Sequence, residues 1–282
     1  MSAASARHIW LCADDYGMSP GVNRAICDLI DRKRINATSV MVVGPAIDRA
    51  EIDTLKASLA AKTDCAVGLH ATLTAPFHPL TMHFQPLDGG RFVSLGKLLR
   101  MSFLRQLDVE MFEAELIAQI STFRTIFGRA PDYVDGHQHT HLFPQIRDAF
   151  LRATKKAAPD AWMRQCGRSL PLAQRLSGPK ALLLDVLSMT FRRKCILADT
   201  TFNSGFAGAY DFSKTTDFAG LMRGFLNGLP DGGLVMCHPG FVDETLMSLD
   251  PLTHQREREF AYLASDDFSR LLAMNNVTLA RK

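Results

Sequence analysis

Residues 11–26 read LCADDYGMSPGVNRAI. An apolar run stops at two adjacent aspartates, Asp14 and Asp15, and a helix begins a few residues later. Ser19 suits the N-cap and Pro20 the first turn. Val22, Ile26, Leu29 and Ile30 then share one face. The stretch reads as a buried strand, a polar turn and an amphipathic helix, which together begin a βαβ crossover. Adjacent carboxylates repel, so the pair at the strand's end calls for a chemical reason.

The same rhythm recurs outward from this unit. Further strands are expected at 37–43, 65–73, 132–142, 161–166, 195–202 and 232–240. Helices are expected at 109–127, from Pro144 to about 156, and at 254–274 as one closing helix. In the first of these, Phe112, Leu116, Ile120, Phe123 and Phe127 form a stripe, and Gly128 is a stop signal. Strand and helix alternating at this spacing imply a parallel sheet with helical crossovers. A chain of 282 residues favours a closed or nearly closed barrel over an open doubly wound sheet. The expected fold class is therefore α/β, a TIM-like, incompletely regular (β/α) barrel, with residues 1–282 forming one domain. Segments 76–108 and 167–194 break the rhythm and read as loop insertions over one end.

A core of this size needs no disulfide or metal to hold it together, so any metal must be argued from chemistry. The formal net charge of +3 does not point to nucleic acid. Six cysteines are scattered without a CxxC pair, which suits a reducing compartment. The first residues lack an apolar signal segment, and no apolar run is long enough for a membrane span. The expectation is a soluble, cytoplasmic protein. The run ALLLDVLSMTF followed by Arg192–Lys194 leaves peripheral membrane contact open.

The chemically unusual residues fall where strands end. Asp14 and Asp15 close the first, His70 the third, and His238 the last. Asp135, His137, His139 and His141 crowd the exit of the fourth. Parallel α/β folds build their sites at this end of the strands. Imidazoles and carboxylates are ligands for zinc and related divalent ions. If HQHTH (137–141) is extended, its three imidazoles share a face. One is then expected to bind metal while the others support it or the substrate; spacing does not say which. A bound cation would offset the repulsion between Asp14 and Asp15. One aspartate would be a ligand and the other a base acting on acidified water. Spacing permits either assignment. His8, His78, His83 and His254 lack such neighbours and read as structural or solvated.

Four motifs, ADDYGMSPGVNRAI, VGLHATLT, PDYVDGHQHTHLFPQI and VMCHPGF, resemble those of the YdjC-like carbohydrate deacetylases, in the same order. That family includes chitooligosaccharide deacetylase and a hopanoid-biosynthesis-associated branch. The resemblance implies an incompletely regular barrel and one divalent ion, magnesium or zinc, on Asp15, His70 and His137. It implies Asp14 as the base and places His238 at the site; general acid is a hypothesis for His238. Asp135, His139, His141, Arg164 and Tyr16 are expected to touch substrate or to support the ligands. Tyr16 stands where the family more often has Phe, and Gln138 where it more often has His. The implied reaction is removal of an N-acetyl group from an N-acetylated sugar or oligosaccharide, giving acetate and a free amino sugar. The resemblance also allows a homodimer. Two rival readings are a metal-dependent phosphoesterase or other amidohydrolase, and a non-catalytic carbohydrate-binding protein.

Overall fold

Seven short parallel strands carry the fold of the computed structural model, which describes residues 5–60, 64–169, 179–212 and 217–279. For residues 179–181 only the backbone is described. In chain order the strands are β1 (Trp10–Tyr16), β2 (Ala37–Val40), β3 (Ala66–Ala71), β4 (Tyr133–Gly136), β5 (Trp162–Met163), β6 (Phe206–Ala207) and β7 (Leu234–Cys237). They pair in the order β5-β4-β3-β2-β1-β7-β6, all parallel. The strands β2, β3, β4 and β7 are buried throughout. That suits a parallel sheet covered by helices on one face and filled by side chains on the other. Its two edges meet through single bridges, Met163 to Phe202 and Arg168 to Phe206. The sheet thus curls into an incomplete barrel.

The helices lie between the strands and, for the last three, after β7: α1 (Pro20–Asp31), α2 (Arg49–Ala60), α3 (Leu95–Phe103), α4 (Val109–Phe127), α5 (Ile146–Ala157), α6 (Pro179–Leu197), α7 (Phe218–Leu226), α8 (Glu244–Leu249), α9 (His254–Ala264) and α10 (Asp266–Met274). Ser19 caps α1 as its sequence suggests, its Oγ accepting from the Val22 N–H at 3.2 Å. Gly128 ends α4 in the left-handed region, where a residue without Cβ meets no penalty. Gly68 on β3 has a different reason: a Cβ there would lie 2.4 Å from the Tyr133 ring.

Four expectations need correction. Residues 195–202 do not form a strand. Leu187, Phe191 and Cys195 recur at four-residue spacing and are all buried, so helical packing carries α6 through Leu197. Phe202 makes only the single bridge, and the edge strand forms at Phe206–Ala207. The closing helix is two helices, α9 and α10, separated at Ser265. The segments 76–108 and 167–194 are more than loops. The first holds a short hairpin, Leu87–Asp88 with Arg91–Phe92, and α3. It buries Phe84 edge-on to Phe112 of α4, with Phe92 packed on the Phe84 ring. The buried Glu115 of α4 accepts from the Leu80 and Thr81 N–H groups and from the Thr81 hydroxyl. The second segment holds most of α6; residues 170–178 lie outside the described residues. Finally, HQHTH is not extended. Residues 137–142 make a tight helical turn in which Gln138 (φ 53°) and His139 (φ 58°) are both left-handed.

Candidate active site

The Asp14–Asp15 pair owes its geometry to an irregularity in β1. Pairing with β2 is regular at Cys12 and Ala13, then slips before resuming at Tyr16. Asp15 sits inside the slip at φ 73°, a region aspartate enters more readily than most residues. In a regular strand neighbouring side chains point to opposite faces. The bulge breaks that alternation and lets both carboxylates serve one site. Both are 1% exposed.

Asp15 gathers the two histidines expected with it. Its Oδ1 lies 3.0 Å from His137 Nδ1 and 3.3 Å from His70 Nε2. One donor atom from each of the three residues lies within 4.8 Å of the other two. His70 is oriented from behind: its Nδ1 is 2.6 Å from Asp135 Oδ1. A proton on Nδ1 donated to Asp135 leaves the Nε2 lone pair facing an Asp15 oxygen. Two lone pairs so placed need positive charge between them, from a proton or a cation. Without a metal the proton takes that role. Burial opposes a charge on His70, but Asp135, Asp14 and Asp15 hold its pKa up at about 10. Two imidazoles and one carboxylate, with a carboxylate behind one imidazole, also fit a divalent ion. A second grouping, Cys12 with Asp14 and Asp135, already contains a cation, the guanidinium of Arg164.

Arg164 is fully buried just after β5. Its Nη1 donates to Asp14 Oδ2 at 2.6 Å and its Nη2 to Asp14 Oδ1 at 2.7 Å. It also ion-pairs with the second oxygen of Asp135. The Ser39 hydroxyl adds a donor to Asp14 Oδ1 at 3.2 Å. Burial works against ionised Asp14, yet Arg164 and the nearby histidines hold it well below the usual carboxylate range. Arg164 therefore links Asp14 to the carboxylate behind His70. Asp135 belongs to this support and not to the mouth of the barrel.

The remaining expected residues separate. His139 is half-buried, its Nδ1 3.5 Å from Cys166 Sγ and its ring edge-on to Phe206. Burial, then the Arg164 charge, push its pKa down to about 3, so it is neutral. His141 is buried, and its Nε2–H donates to the Arg164 carbonyl at 2.9 Å; it supports the backbone that carries Arg164. Two consecutive left-handed residues cost about 1–2 kcal/mol each, and they send the three imidazoles to three different places. Gly136 permits the turn, since a Cβ there would meet His141 Nδ1 at 2.7 Å. His238 follows β7; its ring lies edge-on to Phe212, and its backbone N–H donates to Glu259 at 2.6 Å. Its charged form favours ionised Asp14. Tyr16 turns away from the mouth, its hydroxyl donating to the Glu51 carbonyl at 2.5 Å.

Sequence reasoning missed Arg256 and Glu259. Both are buried on α9, and Arg256 reaches Asp15 Oδ2 at 2.7 Å. A signal was present: charges at i and i+3, with Leu263 four further on, sit on the face that apolar residues normally fill. It also missed Phe77 from the first insertion, whose ring is edge-on to His137 at 5.9 Å.

The fold and site define a class, an incomplete parallel (β/α) barrel with ionisable groups gathered at the carboxyl ends of its strands. The chain belongs to the family of YdjC-like proteins, whose model matches residues 8–274. It is 27% identical over 274 residues to the chitooligosaccharide deacetylase of Yersinia pestis (strain Pestoides F), covering 95% of this chain and 94% of that one. The chitooligosaccharide deacetylase of Yersinia pseudotuberculosis serotype O:1b matches with the same identity and coverage. A solved structure from Enterococcus faecalis V583, provisionally named a cellobiose-phosphate cleavage protein, has a TM-score of 0.72 at 21% identity and covers 98% of both chains. An uncharacterised Agrobacterium tumefaciens C58 protein has a TM-score of 0.51 at 9% identity, covering 99% of this chain and 89% of that one. These two structural likenesses concern the fold alone. No helix among the described residues is long and apolar enough to cross a membrane.

Proposed function

We propose that the protein is a metal-dependent carbohydrate N-deacetylase, releasing acetate and a free amino sugar from an N-acetylated sugar or oligosaccharide. The observation that carries this reading is the buried Asp15–His70–His137 cluster beside an Asp14 held by Arg164. Family membership and the names of the Yersinia relatives support the carbohydrate substrate.

Asp15, His70 and His137 would hold one divalent ion, zinc or magnesium. When bound, the ion polarises the amide carbonyl and acidifies its water. Arg164 keeps Asp14 ionised, so the base is ready at neutral pH. The same pairing makes Asp14 a weak base, suited to water that is already acidified. Among the described residues its Oδ2 accepts from Arg164 alone, which leaves that oxygen lone-pair capacity for a water proton. His238 follows the neighbouring strand β7 and donates a proton to the departing amine nitrogen. His139, neutral and half-buried, presents the rest of its ring to the sugar. Phe77 and the first insertion wall the mouth on the His137 side.

The test is acetate release from a panel of N-acetylated mono- and oligosaccharides, using metal-stripped protein with and without zinc or magnesium. Metal-dependent release from one sugar is expected. Stoichiometric metal binding with no release from any member would refute the deacetylase reading.

A further inference from the structure

The two oxygens of Asp15 face different groups. Oδ1 faces His70 Nε2 and His137 Nδ1. Oδ2 accepts from Arg256 Nη2 at 2.7 Å. The same nitrogen donates to Asp250 Oδ2 at 2.6 Å, and Arg256 Nε donates to the Leu252 carbonyl at 3.0 Å. Met18 Sδ lies 3.5 Å from Nη2. The stem of the side chain packs under Gly240, where a Cβ would lie 3.3 Å from Arg256 Cδ. The residue is 1% exposed. Asp15, Asp250 and the Leu252 carbonyl hold the guanidinium through Nη2 and Nε.

Resting on the metal-site reading above, we infer that Arg256 is a positioning residue that restricts Asp15 to a single donor oxygen. A carboxylate free at both oxygens can grip a cation through both and fill an extra coordination position. A catalytic site needs that position for water or substrate. By occupying Oδ2, Arg256 leaves Oδ1 as the donor and turns it toward the two imidazoles. Its charge also draws electron density from the ligand, which leaves a bound cation more acidifying. Asp250 anchors the guanidinium from the other side.

Cobalt(II) is the probe, because its visible absorption reports coordination number. Wild type, Arg256→Met, Arg256→Lys and Asp250→Asn would be titrated with cobalt, with His137→Ala defining the site. Arg256→Met is expected to keep one-to-one binding but lose about half or more of its absorption per cobalt as the coordination number rises. Its kcat should drop about 10–100-fold with a smaller change in KM. Arg256→Lys keeps the charge without the fork and should recover part of both. Asp250→Asn keeps the Arg256–Asp15 contact and loosens its anchor, so an intermediate spectrum is expected; it carries the test if Arg256→Met does not fold. A wild-type cobalt spectrum in Arg256→Met or Asp250→Asn overturns the assignment whatever happens to turnover. Failure of the wild type to bind cobalt in a His137-dependent way would instead refute the metal site itself, and the inference with it.

Discussion

Asp135→Asn separates charge from shape behind the proposed metal site. Asp135 Oδ1 is 2.6 Å from His70 Nδ1, and the other oxygen ion-pairs with Arg164. Asparagine keeps nearly the same volume and can keep an acceptor toward His70, so the ring need not move. What it removes is the negative charge that makes His70 Nε2 a stronger donor. Losing such a partner typically weakens metal binding about 10–100-fold, or about 1.4–2.8 kcal/mol. The fold should suffer less than the about 3–5 kcal/mol of a broken buried ion pair, because Arg164 still holds both oxygens of Asp14. The assay is competition for zinc against a chromogenic chelator, with thermal melts of the metal-free proteins alongside. A variant that melts near the wild type and binds zinc with unchanged affinity would refute the claim that Asp135 tunes a metal ligand.

Three further outcomes follow from the same geometry. Asp14→Asn should leave metal stoichiometry intact and lower turnover about 10²–10⁴-fold, read as acetate release at saturating substrate. Gly68→Ala places a Cβ 2.4 Å from the Tyr133 ring and should destabilise by about 1–3 kcal/mol, read from the urea midpoint. His70 has a folded pKa raised from 6.5 to about 10. In metal-free protein its stabilising contribution is therefore full below about pH 6.5 and fades as pH rises toward 10. Metal must displace that proton, so metal affinity should rise over the same window. Melts of chelator-treated protein and zinc titrations across pH check both.

The barrel and the place of its candidate site were legible because they rest on local signals. Ser19 and Pro20 announced α1, and the apolar runs ending at Asp15, His70 and Cys237 announced their strands. The convergence of Asp15, His70 and His137 follows from strand order, since β1, β3 and β4 lie close in one sheet. What failed was decided by long-range packing. CILADTTF carries an apolar run that suits either a strand or a helix. Only burial of Leu187, Phe191 and Cys195 on one face settles its first residues, through Leu197, as the end of a helix. HQHTH would put its three imidazoles on one face if extended, and its alternation alone does not decide whether it is. Gly136 and two left-handed residues make it a turn, and no side-chain pattern announces left-handed backbone at Gln138 and His139. Tyr16 stands beside the aspartates in sequence yet faces α2, because the bulge ends before it. Arg256 was hidden for the opposite reason: its partner lies at the far end of the chain.

That separation bears on how the protein matures. Arg256 follows Asp15 by 241 residues. A ribosome adding about 5–20 residues per second takes about 12–48 s to cover that distance. Throughout that interval the nascent chain carries Asp15 without Arg256 to neutralise it. Arg164 emerges earlier and relieves only Asp14. Completion of the aspartate's surroundings therefore waits until α9 has been synthesised, and any chain cut short before α9 retains both proposed histidine ligands while lacking the guanidinium that pairs with Asp15.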